Sequence, residues 1–204
     1  MDQTYRTLAR DERAEPPKIK GSRFIASGFP FAGEEHLAAA IRRLRDEYPD
    51  ANHHCWAWRA GDGFRYNDDG EPSGSAGRPI LRQIDGGGLD RVAVVVTRIF
   101  GGTKLGVGGL IRAYGGAAKA LFERAEIVEV VPYRVVDVTA PYESSGAIAS
   151  VAASFNVEAS DSSFGEDVRQ VFHVGLEQLG AFVTALTDRT AGRAKIVVTD
   201  PDEG

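Results

Sequence analysis

The chain has 204 residues, 43% of them hydrophobic, and a formal net charge of −5. That is enough apolar mass for one or two packed domains and argues against a disordered chain. The longest aliphatic run, Val92 to Val96, falls far short of the ~20 residues that span a bilayer, and no membrane partner is expected.

Charge is unevenly spread. Residues 1–130 carry 19 Lys+Arg against 18 Asp+Glu, whereas residues 131–204 carry 5 against 11. This step predicts two domains, 1–130 and 131–204. An acidic second half is a poor match for phosphate backbones, so any nucleic-acid contact is expected from the first half. The opening MDQTYRTLARDER has no apolar core of a signal peptide, and Cys55 is the only cysteine. Both point to the cytoplasm.

In chain order, residues 1–15 are charged and are expected to fray at the start. After Pro16-Pro17 a strand is predicted over 18–26, with Phe24 and Ala26 on one face. Leu37, Ala40, Ile41 and Leu44 repeat at helical spacing, which predicts a helix from Gly33 to Tyr48. HHCWAWRA, residues 53–60, reads as a strand that puts His53 and Cys55 on one face and His54 on the other. A polar loop is expected from Asp62 to Gly77, then a short helix near Pro79–Ile84. DRVAVVVTRIF reads as a strand buried on both faces. The loop 101–109 has five glycines in nine residues, and a helix is expected over 110–125. Gly115 and Gly116 weaken its intrinsic propensity and suggest close packing on the sheet.

After Ile127 the pattern restarts. VVPYRVVDVTA reads as a strand and 142–153 as a helix of small residues. Two strands, a helix over 176–187 and a last strand, AKIVVTD, follow. The order β-α-β-β-α-β is the split ferredoxin-like unit, so the predicted fold class is α+β with two domains.

Two loops carry the candidate chemistry. Glycines favour close backbone approach and positive φ. A glycine loop that opens a helix also offers free N–H groups to an anion. Lys104 sits in that loop, Arg98 ends the strand before it and Arg112 lies in the helix after it. With Gly101, Gly102, Gly106 and Gly108 these are the predicted anion-binding residues. The stretch is neither a P-loop, because Val107 stands where Lys is needed, nor a Rossmann fingerprint, because Ile111 replaces the third glycine. The second loop, DDGEPSG, holds Asp68, Asp69, Glu71 and Ser73. Its oxygens suit Mg²⁺ in principle, but a structural turn paired with basic residues is the preferred account. No metal and no cofactor are expected. His53, His54 and Cys55 cannot make a four-ligand zinc site without further cysteines, and packing is their preferred role. Trp56, Trp58, Phe64, Tyr66 and Phe100 are candidates for stacking bases, with the tryptophans expected in the core.

The motifs GSRFIA (21–26), ANHHCWAWR (51–59), DDGEPSGSAGRPIL (68–81) and RIFGGTKLGVGGLIRAYGGAA (98–118) resemble the YigZ/IMPACT family. Residues 132–198 resemble the second domain usual in its bacterial members. The resemblance implies a first domain folded like the second domain of a small-subunit ribosomal protein. It implies a second domain like the C-terminal domain of elongation factor G. It departs from the family pattern at Ile99, Ser75 and His54. It brings no reaction with it, and points to a non-enzymatic, translation-linked binding protein. RNA, the ribosome or a protein partner would be its target. An enzyme acting on a phosphate-bearing small molecule, or a pure protein–protein adaptor, is the alternative.

Overall fold

A computed structural model describes residues 4–201. The chain divides into two compact units, one of Tyr5–Val130 and one that starts at Val131 and takes in Thr4. Each is described by itself.

The first unit is built on a five-stranded antiparallel sheet. Its strands are β2 (Glu12–Ala14), β3 (Arg23–Pro30), β4 (His53–Ala60), β5 (Gly63–Asn67) and β6 (Val92–Ile99), in the order β2-β3-β6-β4-β5. Helix α1 (Glu34–Glu47) buries Leu37, Ala40 and Leu44 against Phe29, Ala93 and Val95. Helices α2 (Gly77–Gly86) and α3 (Val107–Phe122) pack with Phe24, Cys55, Val94 and Val96. Alternation along β6 therefore feeds both cores, and the strand is buried on both faces as expected. Each fully buried Leu, Ile, Val or Phe contributes about 1.5–3 kcal/mol by leaving water.

Several elements differ from the sequence reading. The charged N-terminus contains β1 (Tyr5–Leu8), paired antiparallel with β7 (Ile127–Val130), and then β2. Residues 1–3 lie outside the described residues. Leu8 is buried in the core, and that burial outweighs the local charge. The strand expected over 18–26 starts only at Arg23. Before it, Ile19 and Ser22 exchange two 3.0 Å backbone bonds around Lys20 and Gly21, both at positive φ. That is the hairpin turn whose twist suits the strands it joins. The loop expected over 62–77 contains β5, an edge strand whose five residues are all exposed. With no buried face it carries no hydrophobic period to read. Gly115 faces Pro79 and Gln83 of α2 rather than the sheet, and Gly116 faces open space.

The second unit holds β8 (Tyr133–Pro141), α4 (Ser145–Ser154), β9 (Ala159–Phe164), β10 (Asp167–Gly175), α5 (Leu176–Arg189) and β11 (Lys195–Thr199). The sheet order is β11-β8-β10-β9, antiparallel throughout, which is the ferredoxin-like arrangement expected from the β-α-β-β-α-β pattern. Val136, Val138, Val168, Phe172 and Val174 meet Ile148, Val151, Phe182 and Leu186 in its core. The strand expected across 130–140 is split. Residues up to Val130 belong to β7, and β8 starts after Pro132, which has no N–H for a ladder.

We propose that 1–130 and 131–204 are independently folding domains. Residues 1–130 expressed alone are expected to give one cooperative thermal transition, because β1 and β7 close the unit within that fragment. An insoluble fragment, or one without a cooperative melt, would place the boundary elsewhere.

Candidate functional site

The acidic loop is held by its own first residue. The Asp68 carboxylate accepts N–H bonds from Gly74, Ala76 and Gly77 at 2.7–3.0 Å. It thereby supplies the start of α2 with acceptors that its first residues lack. Its carbonyl oxygen accepts from Glu71 N and Cys55 Sγ. Asp69, at φ 42°, accepts the His54 N–H on one carboxylate oxygen at 2.6 Å and reaches Arg45 with the other. Its carbonyl lies 2.7 Å from His53 Nδ1. Both aspartates thus serve the loop and neighbouring elements, as a structural turn requires. Ser73 is exposed.

Glu71 points inward. Its side chain is 4% exposed, and Oε1 accepts from Arg98 Nη1 at 2.5 Å and from the Tyr114 hydroxyl at 2.7 Å. Here the structure corrects the sequence reading of Arg98. It was expected to present a cation to an anion, but its side chain is 7% exposed and its charge is met by Glu71. The guanidinium also lies 5.6 Å from the Phe24 ring centre and 5.5 Å from that of Phe100. A charge this deeply placed is kept only because a partner is fixed beside it.

Burial pushes the Tyr114 phenol well up, so it stays a neutral donor to Glu71. Burial likewise pushes the Cys55 thiol well up, which leaves it inert as a nucleophile. Burial lowers His54, whose Nδ1 lies 3.0 Å from Thr97 Oγ1. Tyr114 went unnoticed in the sequence because it occupies one of many apolar positions on the core side of α3.

The glycine loop packs tightly at one end and is open at the other. A Cβ on Gly101 would sit 1.9 Å from the carbonyl carbon of Gly21. Gly101 N donates to Ser22 Oγ, and Phe100 N donates to Asn52 Oδ1. Gly106, at φ 72°, precedes α3, and no side chain caps that helix. Its first N–H groups are free of intrahelical partners, as at any helix start. Lys104, Gly108 and Arg112 are exposed, and neither cation has an ion-pair partner among the described residues.

These parts meet at a cavity of about 450 Å³. Of the predicted residues, Glu71, Arg98, Lys104 and Gly106 line it, joined by Asn52, His53, Phe100 and Val107. Asp68, Asp69, Ser73, Gly101, Gly102, Gly108 and Arg112 are not in its wall. Phe100 is 43% exposed there, while Trp56 and Trp58 pack against the core beneath α1. Among the described residues no three His, Cys, Asp or Glu side chains are grouped to hold a metal ion, and no helix is long and apolar enough to cross a membrane.

Residues 20–122 match the family model of the Impact N-terminal domain. An IMPACT family member from Thermus thermophilus is 40% identical over 177 residues, covering 86% of this chain and 97% of that protein. One from Haemophilus influenzae is 31% identical, over 91% of this chain and 93% of its own length. YigZ of Escherichia coli, also an IMPACT family member, is 46% identical over 104 residues, 48% of this chain and 51% of its own. A crystal structure described as a hypothetical protein is 28% identical, with a TM-score of 0.67 over 99% of this chain and 100% of its own. The motifs around the cavity, the matched domain and these near full-length likenesses agree, and the chain belongs to the IMPACT family.

Proposed function

We propose that this chain is a non-enzymatic, translation-linked binding protein of the cytoplasm. Its first unit would contact single-stranded RNA, free or on the ribosome. The observation that carries this reading is Lys104, an exposed cation without an ion-pair partner among the described residues, on the wall of a cavity where α3 begins uncapped. Phosphate oxygens suit both the ammonium and the free amides. Phe100 adds an exposed ring on which a base can stack, which tolerates any sequence. The first unit is further read as akin to the second domain of a small-subunit ribosomal protein, and the second as akin to the C-terminal domain of elongation factor G. Both kinships suit a protein that works near the ribosome.

Lys104→Ala tests it. The variant is expected to bind single-stranded RNA more weakly, and the slope of log affinity against log salt should shrink by ~0.7 to 0.9 for one lost phosphate contact. Its melting behaviour should shift by no more than about 0.5 kcal/mol, as for an exposed side chain. An unchanged slope removes Lys104 from the contact. If the wild-type protein binds no RNA at low salt, nucleic acid drops out and a protein partner leads. One observation favours the enzyme alternative on a phosphate-bearing small molecule: His53 stands in the cavity wall beside Glu71.

A further inference from the structure

Within the cavity, the hydrogen bonds around His53 and Glu71 do not close. A carbonyl oxygen only accepts, so the 2.7 Å contact to the Asp69 carbonyl places the proton of a neutral His53 on Nδ1. The ring then presents a bare lone pair at Nε2. Nε2 faces Glu71 Oε1 at 3.9 Å, too far for a direct hydrogen bond and with an acceptor at each end. No group among the described residues donates to His53 Nε2. The Glu71 carboxylate receives Arg98 and Tyr114 on one oxygen only. The two side chains are 24% and 4% exposed, and both line the cavity. Such a pair of acceptors calls for a ligand with two adjacent donors.

We propose that the cavity binds one ribonucleotide through a free 2′,3′-cis-diol, its two hydroxyls donating to His53 Nε2 and to the Glu71 carboxylate. The neighbouring hydroxyls of ribose can reach two separate acceptors at once, and a carboxylate reading ribose hydroxyls is a recurrent device in nucleotide sites. The rest of the wall matches the remaining parts of the ligand. Lys104 and the start of α3 face its 5′-phosphate, and Phe100 takes the base. Because Arg98 already meets the Glu71 charge, the carboxylate does not repel that phosphate outright. A volume of about 450 Å³ suits one such ligand. A 2′,3′-dideoxy sugar supplies neither hydroxyl and leaves both acceptors unpaired in the cavity wall, the situation that separates close analogues most sharply.

The same chemistry occurs on a free ribonucleoside 5′-monophosphate and on the 3′ end of an RNA chain. The inference rests on the anion-binding reading of this cavity, and the experiment keeps the two apart. Full-length protein is titrated with adenosine 5′-monophosphate and its 2′,3′-dideoxy counterpart. In parallel it is titrated with a short single-stranded RNA carrying a 3′-terminal diol and with the same RNA ending in a 2′,3′-dideoxynucleotide. In at least one pair the diol form should bind about 10- to 100-fold more tightly, the worth of hydrogen bonds to a charged or buried acceptor. A preference in the first pair assigns the site to free nucleotides, and one confined to the second assigns it to RNA ends. His53→Gln should shrink that preference. Equal affinity within both pairs, with salt-dependent RNA binding intact, overturns the diol site and spares the RNA reading. No binding in any arm overturns both.

Discussion

Glu71→Ala is expected to destabilise the first unit by about 3–5 kcal/mol, because it leaves the Arg98 guanidinium buried without a counter-charge. The same substitution strips the Tyr114 hydroxyl of its acceptor. Urea unfolding of the full chain, followed through the tryptophans of β4, measures it. Glu71→Gln should cost less, since an amide oxygen still accepts from Arg98 and Tyr114 although it carries no charge. Replacing both partners, with Glu71→Leu and Arg98→Met, should recover much of the loss, because desolvation of two charges no longer has to be offset. A loss below about 1 kcal/mol for Glu71→Ala, the range of exposed ion pairs, would show that the pair is wet in solution.

Gly101→Ala is expected to be nearly as damaging. The new methyl would lie 1.9 Å from Gly21 C and 2.1 Å from Ser22 N. Both are backbone atoms of a tight turn and cannot swing aside as a side chain can. The cost should exceed the ~1–3 kcal/mol of ordinary overpacking unless the loop moves away. If it moves, the hydrogen bond from Gly101 N to Ser22 Oγ is lost and Lys104 is displaced, so RNA binding falls with stability. Two controls separate sterics from chain stiffness. Gly106→Ala meets open space, and its cost should be only the ~1–3 kcal/mol of holding an alanine at φ 72° and ψ 163°, a region that glycine alone adopts readily. Gly116→Ala, on an open face of α3, should stabilise by about 0.5–1 kcal/mol. Equal melting of the Gly101→Ala and Gly106→Ala variants would contradict the close approach of the two backbones.

The legible parts of the fold are those in which one residue interval repeats over several turns or strands. Leu37, Ala40 and Leu44 announce α1, and the Val92–Val96 run announces a strand covered on both sides. The second unit was readable as β-α-β-β-α-β from alternating periods alone. The parts that escaped are those whose structure comes from distant chain. β1 exists because Ile127–Val130 pairs with it more than a hundred residues later, and β5 is an edge strand with no buried face to set a pattern.

For the site, the residue types in the two loops were enough to single out Glu71, Lys104 and the glycine run, because carboxylates, a lone lysine and clustered glycines carry their chemistry locally. Which of them face a ligand was decided by tertiary structure. Arg98 looked like a free cation in the chain, yet the fold spends its charge on Glu71. Asp68 and Asp69 read as parts of a structural turn, and only the fold shows which groups they hold, the backbone N–H groups at the start of α2 and of β4. His53 and Tyr114, separated by sixty-one positions, meet at one carboxylate only when β4 and α3 are both in place. Sequence determines what each side chain can donate or accept. Burial and three-dimensional neighbourhood determine which of those capacities the protein itself consumes and which are left facing the cavity.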